Sequence, residues 1–122
     1  MTDLGKAFAE ALAAKDAEAV CAVTTPDLDF RAMTPRRFWE ASTQEELVEV
    51  LFGNWLEPKD EVLALVSTTS GEVSWRRHVS YRLRLRNETG ESLMEQQMYY
   101  QARDGRIHWA RIMCSGFIPV SS

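Results

Sequence analysis

LMEQQMYYQARDGRIHWARIMCSGFIP, residues 93–119, reads as two long strands joined by a tight turn. The Asp104-Gly105 pair supplies the positive φ angles that a two-residue hairpin loop requires, and β-favouring side chains flank it on both sides. Pairing Arg103 with Arg106 places Glu95, Gln97, Tyr99 and Gln101 on one face with His108, Ala110, Ile112 and Cys114, because side chains alternate along a strand. The other face then carries Met94, Gln96, Met98 and Tyr100 with Ile107, Trp109, Arg111 and Met113. Both faces mix apolar and polar residues, which suggests a pocket on one and a partner on the other.

Upstream, Val73, Trp75, Val79, Tyr81, Leu83 and Leu85 line one face of a second long strand, with Ser74, Arg76, His78, Ser80, Arg82 and Arg84 on the other. Reading Glu88-Thr89-Gly90 as a three-residue loop pairs Leu83 with Glu95, Tyr81 with Gln97 and Val79 with Tyr99. The aliphatic row then marks the Glu95 face as inward.

The N-terminal half is helical. Leu4, Phe8, Ala11 and Leu12 recur at helical spacing after a possible Thr2 cap, giving a helix over residues 3–14. Asp16 caps a shorter helix carrying Val20, Cys21 and Val23, which Pro26 closes. Leu28, Phe30 and Ala32 form a short strand, and Phe38-Trp39 is expected to fold over the open end of the core. Thr43 and Glu46 form a capping box ahead of Leu47, Val50, Leu51, Trp55 and Leu56, and Pro58 stops that third helix. Val62–Val66 reads as a buried strand with Thr68–Gly71 as the turn out of it.

Composition narrows the function classes. A chain of 122 residues, 45% hydrophobic and 26% charged, is expected to form one domain over residues 1–122. The net charge of -4 gives no reason to expect nucleic acid or an anionic membrane surface as partner, in spite of Arg76, Arg82, Arg84 and Arg86. Charges at Lys6, Glu10, Lys15, Asp16 and Glu18 leave no room for an apolar leader, so the expected compartment is the cytoplasm. Cys21 and Cys114 show no metal-ligand spacing and are read as reduced thiols. Neither His78 nor His108 has a companion at ligand spacing, and no glycine-rich phosphate loop follows a strand, so no metal or cofactor is expected.

Helices followed by a strongly curved antiparallel sheet make an α+β cone. With its first helix ending Ala14-Lys15-Asp16, the strand Asp27–Ala32, the capped third helix and the closing DGRI at 104–107, the chain resembles the nuclear transport factor 2-like superfamily, which includes SnoaL-like proteins and ketosteroid isomerase. That resemblance implies a pocket inside the cone and an outer sheet face that often mediates dimerisation. It also places Phe8 at the isomerase's tyrosine donor and Ala32 at its aspartate base, so efficient isomerase chemistry is not expected. A one-residue shift near Asp29 would bring a carboxylate close to the base position.

The expected pocket has Glu95 as its principal ionisable group, a general acid or base with Tyr99 beside it, and Gln97 and Tyr81 as polar neighbours. Its apolar wall is Phe8, Leu12, Phe30, Trp39, Leu51 and Trp55. Ile112 and Cys114 complete that surface, with His108 at the rim. Three functions follow: binding of a small apolar, cyclic ligand; a cofactor-independent isomerase, cyclase or hydratase acting through Glu95; or a dimeric assembly domain without a ligand. The expected partner is a second copy, bound through Met94, Met98, Tyr100, Trp109 and Met113.

Overall fold

The computed structural model describes residues 3–120. Helix α1 (Leu4–Ala13) is capped by Asp3, whose carboxylate accepts from the Lys6 amide at 3.0 Å. Thr2 lies outside the described residues. Helix α2 (Ala17–Ala22) is capped by Asp16 through the Ala19 amide. Helix α3 (Gln44–Val48) opens with Thr43 accepting from the Glu46 amide at 3.1 Å, while Glu46 accepts in return from the Ser42 amide at 2.8 Å. These side chains satisfy amides that have no partner within the helix.

Seven strands follow and interleave: β1 (Thr24–Thr34), β2 (Arg37–Ala41), β3 (Glu61–Val73), β4 (Arg76–Asn87), β5 (Gly90–Arg103), β6 (Arg106–Cys114) and β7 (Ile118–Pro119). They form one sheet in the order β2-β1-β6-β5-β4-β3, with β7 on β5. The sheet is mixed, because β1 and β6 run parallel. A parallel pair needs a long connection, and β2 to β5 supply it. The helices pack on the concave face, where Phe8, Leu12, Leu28, Phe30, Leu51, Val79, Tyr81 and Leu83 are buried together.

Several boundaries differ from the sequence reading. Pro26 does not end a helix but sits inside β1, where pairing with β6 skips from Thr24 to Asp29; proline has no amide for a ladder. Residues 68–71 continue β3, and the reversal falls at Ser74-Trp75, with Ser74 at φ 58°. Phe38 does not cover the core: on β2 it points outward and is 78% exposed, while Trp39 points inward. Beyond Val48 the third helix widens into a π-helix over Glu49–Trp55.

Candidate active site: the mouth of the cone

The placement of the polar candidates Glu95, Gln97 and Tyr99 turns on β5, and there the sequence reading is off by one residue at each end. The loop before β5 has two residues, Glu88-Thr89, because Asn87 pairs with Gly90. Leu83 therefore faces Met94, Tyr81 faces Gln96 and Val79 faces Met98. At the other end Arg103 does pair with Arg106, and Asp104 (φ 54°) and Gly105 (φ 76°) make the expected turn. The ladder then slips: Ala102 pairs with Ile107 but Gln101 pairs with Trp109, so His108 is the extra residue of a β-bulge. From there Met98 faces Ile112 and Gln96 faces Cys114. The two slips cancel in β4 and β6 and leave β5 alone turned over.

The consequences are specific. Glu95, Gln97 and Tyr99 lie on the convex face. The Glu95 carboxylate is 3.5 Å from Arg82, and its side chain is 41% exposed. Gln97 Oε1 accepts from His78 Nε2 at 2.6 Å, and Tyr99 packs against the same ring at 4.8 Å with a 45° tilt. A carboxylate there is solvated and paired on the surface, not enclosed in the cone as expected. Conversely, Met94, Met98 and Tyr100 are not an outer patch: each is at most 2% exposed on the concave side. Trp109 and Met113 do lie outside. Asp29 is also outside, paired with Arg111 at 3.1 Å, so its carboxylate does not reach the Ala32 position. Phe8, Leu12, Phe30, Leu51 and Ile112 are core residues, at most 4% exposed.

Facing inward from β5, Gln96 organises a buried polar cluster. Tyr81 donates its hydroxyl to Gln96 Oε1 at 2.5 Å, and the Gln96 amide lies against Met94 Sδ and the Cys114 thiol. Burial pushes the Tyr81 phenol well above its ordinary range, with Cys114 adding to the shift. Burial likewise raises the Cys114 thiol, partly opposed by contacts from Gln96 and the Gly116 amide. Both groups are therefore neutral at physiological pH.

Met94 and Cys114 are also the floor of a cavity of about 310 Å³ that opens at the cone mouth. Trp39, Trp55 and Phe117 are its aromatic walls, and Thr34, Asn54 and Asn87 supply neutral polar atoms. Trp39 and Trp55 meet edge-on at 6.2 Å, and Trp39 is fixed by donating Nε1 to Thr34 Oγ1 at 2.8 Å. The π-helix brings Asn54 and Trp55 to this rim; Asn54 Nδ2 bonds the Glu49 carbonyl, five residues back, at 2.9 Å. Such widened turns cluster at functional sites. The Trp55 indole nitrogen is buried without a hydrogen-bond partner among the described residues.

The ionic groups at the rim are Glu57, Lys59 and Asp60; Lys59 lies 4.0 Å from Glu88, and Asp60 is spent on structure. Asp60, 1% exposed, accepts from Asn87 Nδ2 at 2.9 Å and from the Glu57 amide at 3.1 Å. The Lys15 ammonium is held by the carbonyls of Glu57 and Asp60.

Of the expected pocket residues, Trp39, Trp55 and Cys114 are brought together here. Met94, Asn54, Asn87 and Phe117 were missed. The signal for Met94 was present: Met94, Met98 and Tyr100 are the more apolar alternate set of β5, which binary patterning assigns to the core. His108 lies elsewhere, beside Trp75 and Arg77. Both cysteines are free thiols. Among the described residues no cluster could hold a metal ion, and no helix is long and apolar enough to cross a membrane.

No family model and no curated protein matches this sequence. Solved structures do. A Catenulispora acidiphila protein with a ketosteroid isomerase-like fold, solved with trimethylamine, superposes with a TM-score of 0.70 at 8% identity, over 94% of this chain and 87% of its own. An M. tuberculosis LEH-like epoxide hydrolase gives 0.66 at 16% identity, over 92% and 80%. A protein from a de novo design study of diverse pocket structures gives 0.66 at 19%, over 92% and 96%. At these identities the likeness establishes architecture alone. Three helices packed on a curved, open, seven-stranded mixed sheet give this chain the α+β cone fold of the nuclear transport factor 2-like superfamily.

Proposed function

We infer that the cone mouth binds a small, uncharged, largely apolar cyclic molecule. The observation that carries this reading is the cavity between Trp39, Trp55 and Phe117 over a floor of Met94 and Cys114, with the buried Asp60 committed to internal hydrogen bonds and Glu57 and Lys59 confined to the rim. Aromatic walls favour a flat ring, and a volume of about 310 Å³ falls at the small end of ligand pockets. The neutral Tyr81-Gln96-Cys114 cluster behind the floor fits binding of a neutral guest.

A titration with α-tetralone, a neutral bicyclic ketone, tests this by NMR. Saturable shifts of the Trp39 and Trp55 indole signals, weakened in Trp55→Phe, are expected. Shifts confined to Trp75 or Trp109, or no saturation, would overturn the reading.

A second copy of the chain is the proposed partner, through a revised patch. Phe38, Met33 and Met113 stand in one cross-strand row on the convex face, 78%, 37% and 53% exposed, next to Tyr99 at 37%. They border a groove of about 450 Å³ rimmed by Arg31, Glu40 and Arg111. Exposed apolar surface gathered in one place favours association. Sedimentation of the wild type as a dimer and of Phe38→Glu as a monomer is the expected result; a monomeric wild type at micromolar concentration removes the idea.

A further inference from the structure

The opposite end of β4, β5 and β6 carries a separate cleft, of about 380 Å³, between Trp75, Arg77, Tyr100, Gln101 and His108. Cys114 at the cone mouth and His108 here are six residues apart on β6, about 20 Å at the rise of a strand. The cleft owes its existence to the bulge, which sets His108 out of the regular alternation, and to the Ser74-Trp75 turn, which leaves the indole 71% exposed.

Its charge is unusual for this sheet. Arg82, Arg84, Arg86, Arg103 and Arg111 each face a carboxylate, at 3.5, 2.7, 2.8, 2.5 and 3.1 Å. Arg106 is spent on the carbonyls of Cys21 and Ala22. Among the described residues Arg76 and Arg77 have no such partner. Glu72, opposite Arg77 in the β3–β4 ladder, makes no ion pair with it, and Asp3 is engaged by Ser70 and the Lys6 amide.

The two arginines have different parts. Arg76 is clamped between indoles, 4.6 Å from the Trp75 ring and 4.1 Å from the Trp109 ring, which fixes Trp75 as a platform. Arg77 reaches the Tyr100 hydroxyl, which is itself anchored by the Gly5 amide at 3.0 Å, and lines the cleft beside His108 and the Gln101 amide. A planar guanidinium with donors to spare, next to an exposed indole, matches a planar anion carried on a ring.

We propose that this cleft binds a small aryl carboxylate, its ring against Trp75 and its carboxylate on Arg77, with His108 and Gln101 as flanking polar contacts. One available guanidinium suits a single small anion, and the chain's net charge of -4 opposes a polyanion. The site is independent of the cone mouth and stands or falls without it.

The test is an NMR titration with benzoate up to about 10 mM, following the Trp75 indole and Arg77 Nε signals. Benzyl alcohol supplies the ring without the charge, and inorganic phosphate the charge without the ring. Support is a saturable benzoate shift at both residues, little response to either control, and affinity lowered about tenfold by Arg77→Ala or Trp75→Ala. Arg77→Lys keeps the charge but not the fork, and should fall between wild type and Arg77→Ala. The proposal is overturned by the absence of saturable shifts, by phosphate reproducing them with equal affinity, or by benzoate acting only on Trp39 and Trp55.

Discussion

Turning β5 over reverses the roles of two adjacent residues, and Gln96→Leu set beside Glu95→Gln measures the reversal. Gln96 is 0% exposed and accepts from the Tyr81 hydroxyl, whose residue is also 0% exposed. Leucine preserves most of the volume but strands that hydroxyl, which costs about 1–3 kcal/mol when no water reaches it. Glu95 belongs to a pair with Arg82 whose side chains are 41% and 55% exposed, and such pairs contribute about 0–1 kcal/mol before screening by salt. Urea unfolding at neutral pH should therefore show Gln96→Leu destabilised by about 2 kcal/mol and Glu95→Gln by about 0.5 kcal/mol or less. For a chain of this length the first corresponds to a fall in Tm of about 5–10 °C. The double variant Gln96→Leu/Tyr81→Phe removes both partners and should recover part of the loss, because two apolar groups leave no orphaned donor. A larger cost for Glu95→Gln than for Gln96→Leu, or additive behaviour in the double variant, would refute the placement of β5.

Three further outcomes are expected. Gly5→Ala should destabilise by about 1–3 kcal/mol despite alanine's better helix propensity, because a Cβ there would lie 2.8 Å from Val79 Cβ and 2.9 Å from Tyr100 Cε1; thermal unfolding by circular dichroism reads it. Deleting His108 makes Ala102–Ile107 and Gln101–Trp109 consecutive pairs of a regular ladder and leaves every other side chain on its present face, so the variant should still unfold in one cooperative urea transition; loss of that transition would contradict His108 as the surplus residue. Burial raises the pKa of Cys114, Tyr81 and Tyr100 in the folded protein. The unfolded chain therefore loses these protons first, and stability should fall as pH climbs past the ordinary thiol value of 9.0 and then the ordinary phenol value of 10.0. Cys114→Ala should remove the first part of that decline, as followed by urea unfolding across alkaline pH.

Local chemistry made much of the architecture readable. Asp16 and Thr43 announce helix starts because their side chains alone can serve the first amides, and Asp104-Gly105 announces its turn because few residue pairs accept two positive φ angles. The odd-numbered run Val79, Tyr81, Leu83 and Leu85 identified the inward face of β4 correctly, since each is at most 1% exposed. What could not be read locally was register. A side-chain period of two turns one unseen bulge into a complete exchange of faces, and a loop shorter by one residue compensated for it, so a wrong β5 sat consistently between a right β4 and a β6 that was right from Trp109 onward but wrong at Ile107, which is buried. Only the packed sheet discloses that His108 is surplus, because the cost of burying Glu95 and exposing Met94 and Met98 is a property of all three strands together. The candidate site followed the same division. Trp39, Trp55 and Cys114 are recognisable as wall residues from their own hydrophobicity. The cavity they share, the π-turn that brings Asn54 to its rim and the bonds that occupy Asp60 exist because distant segments meet.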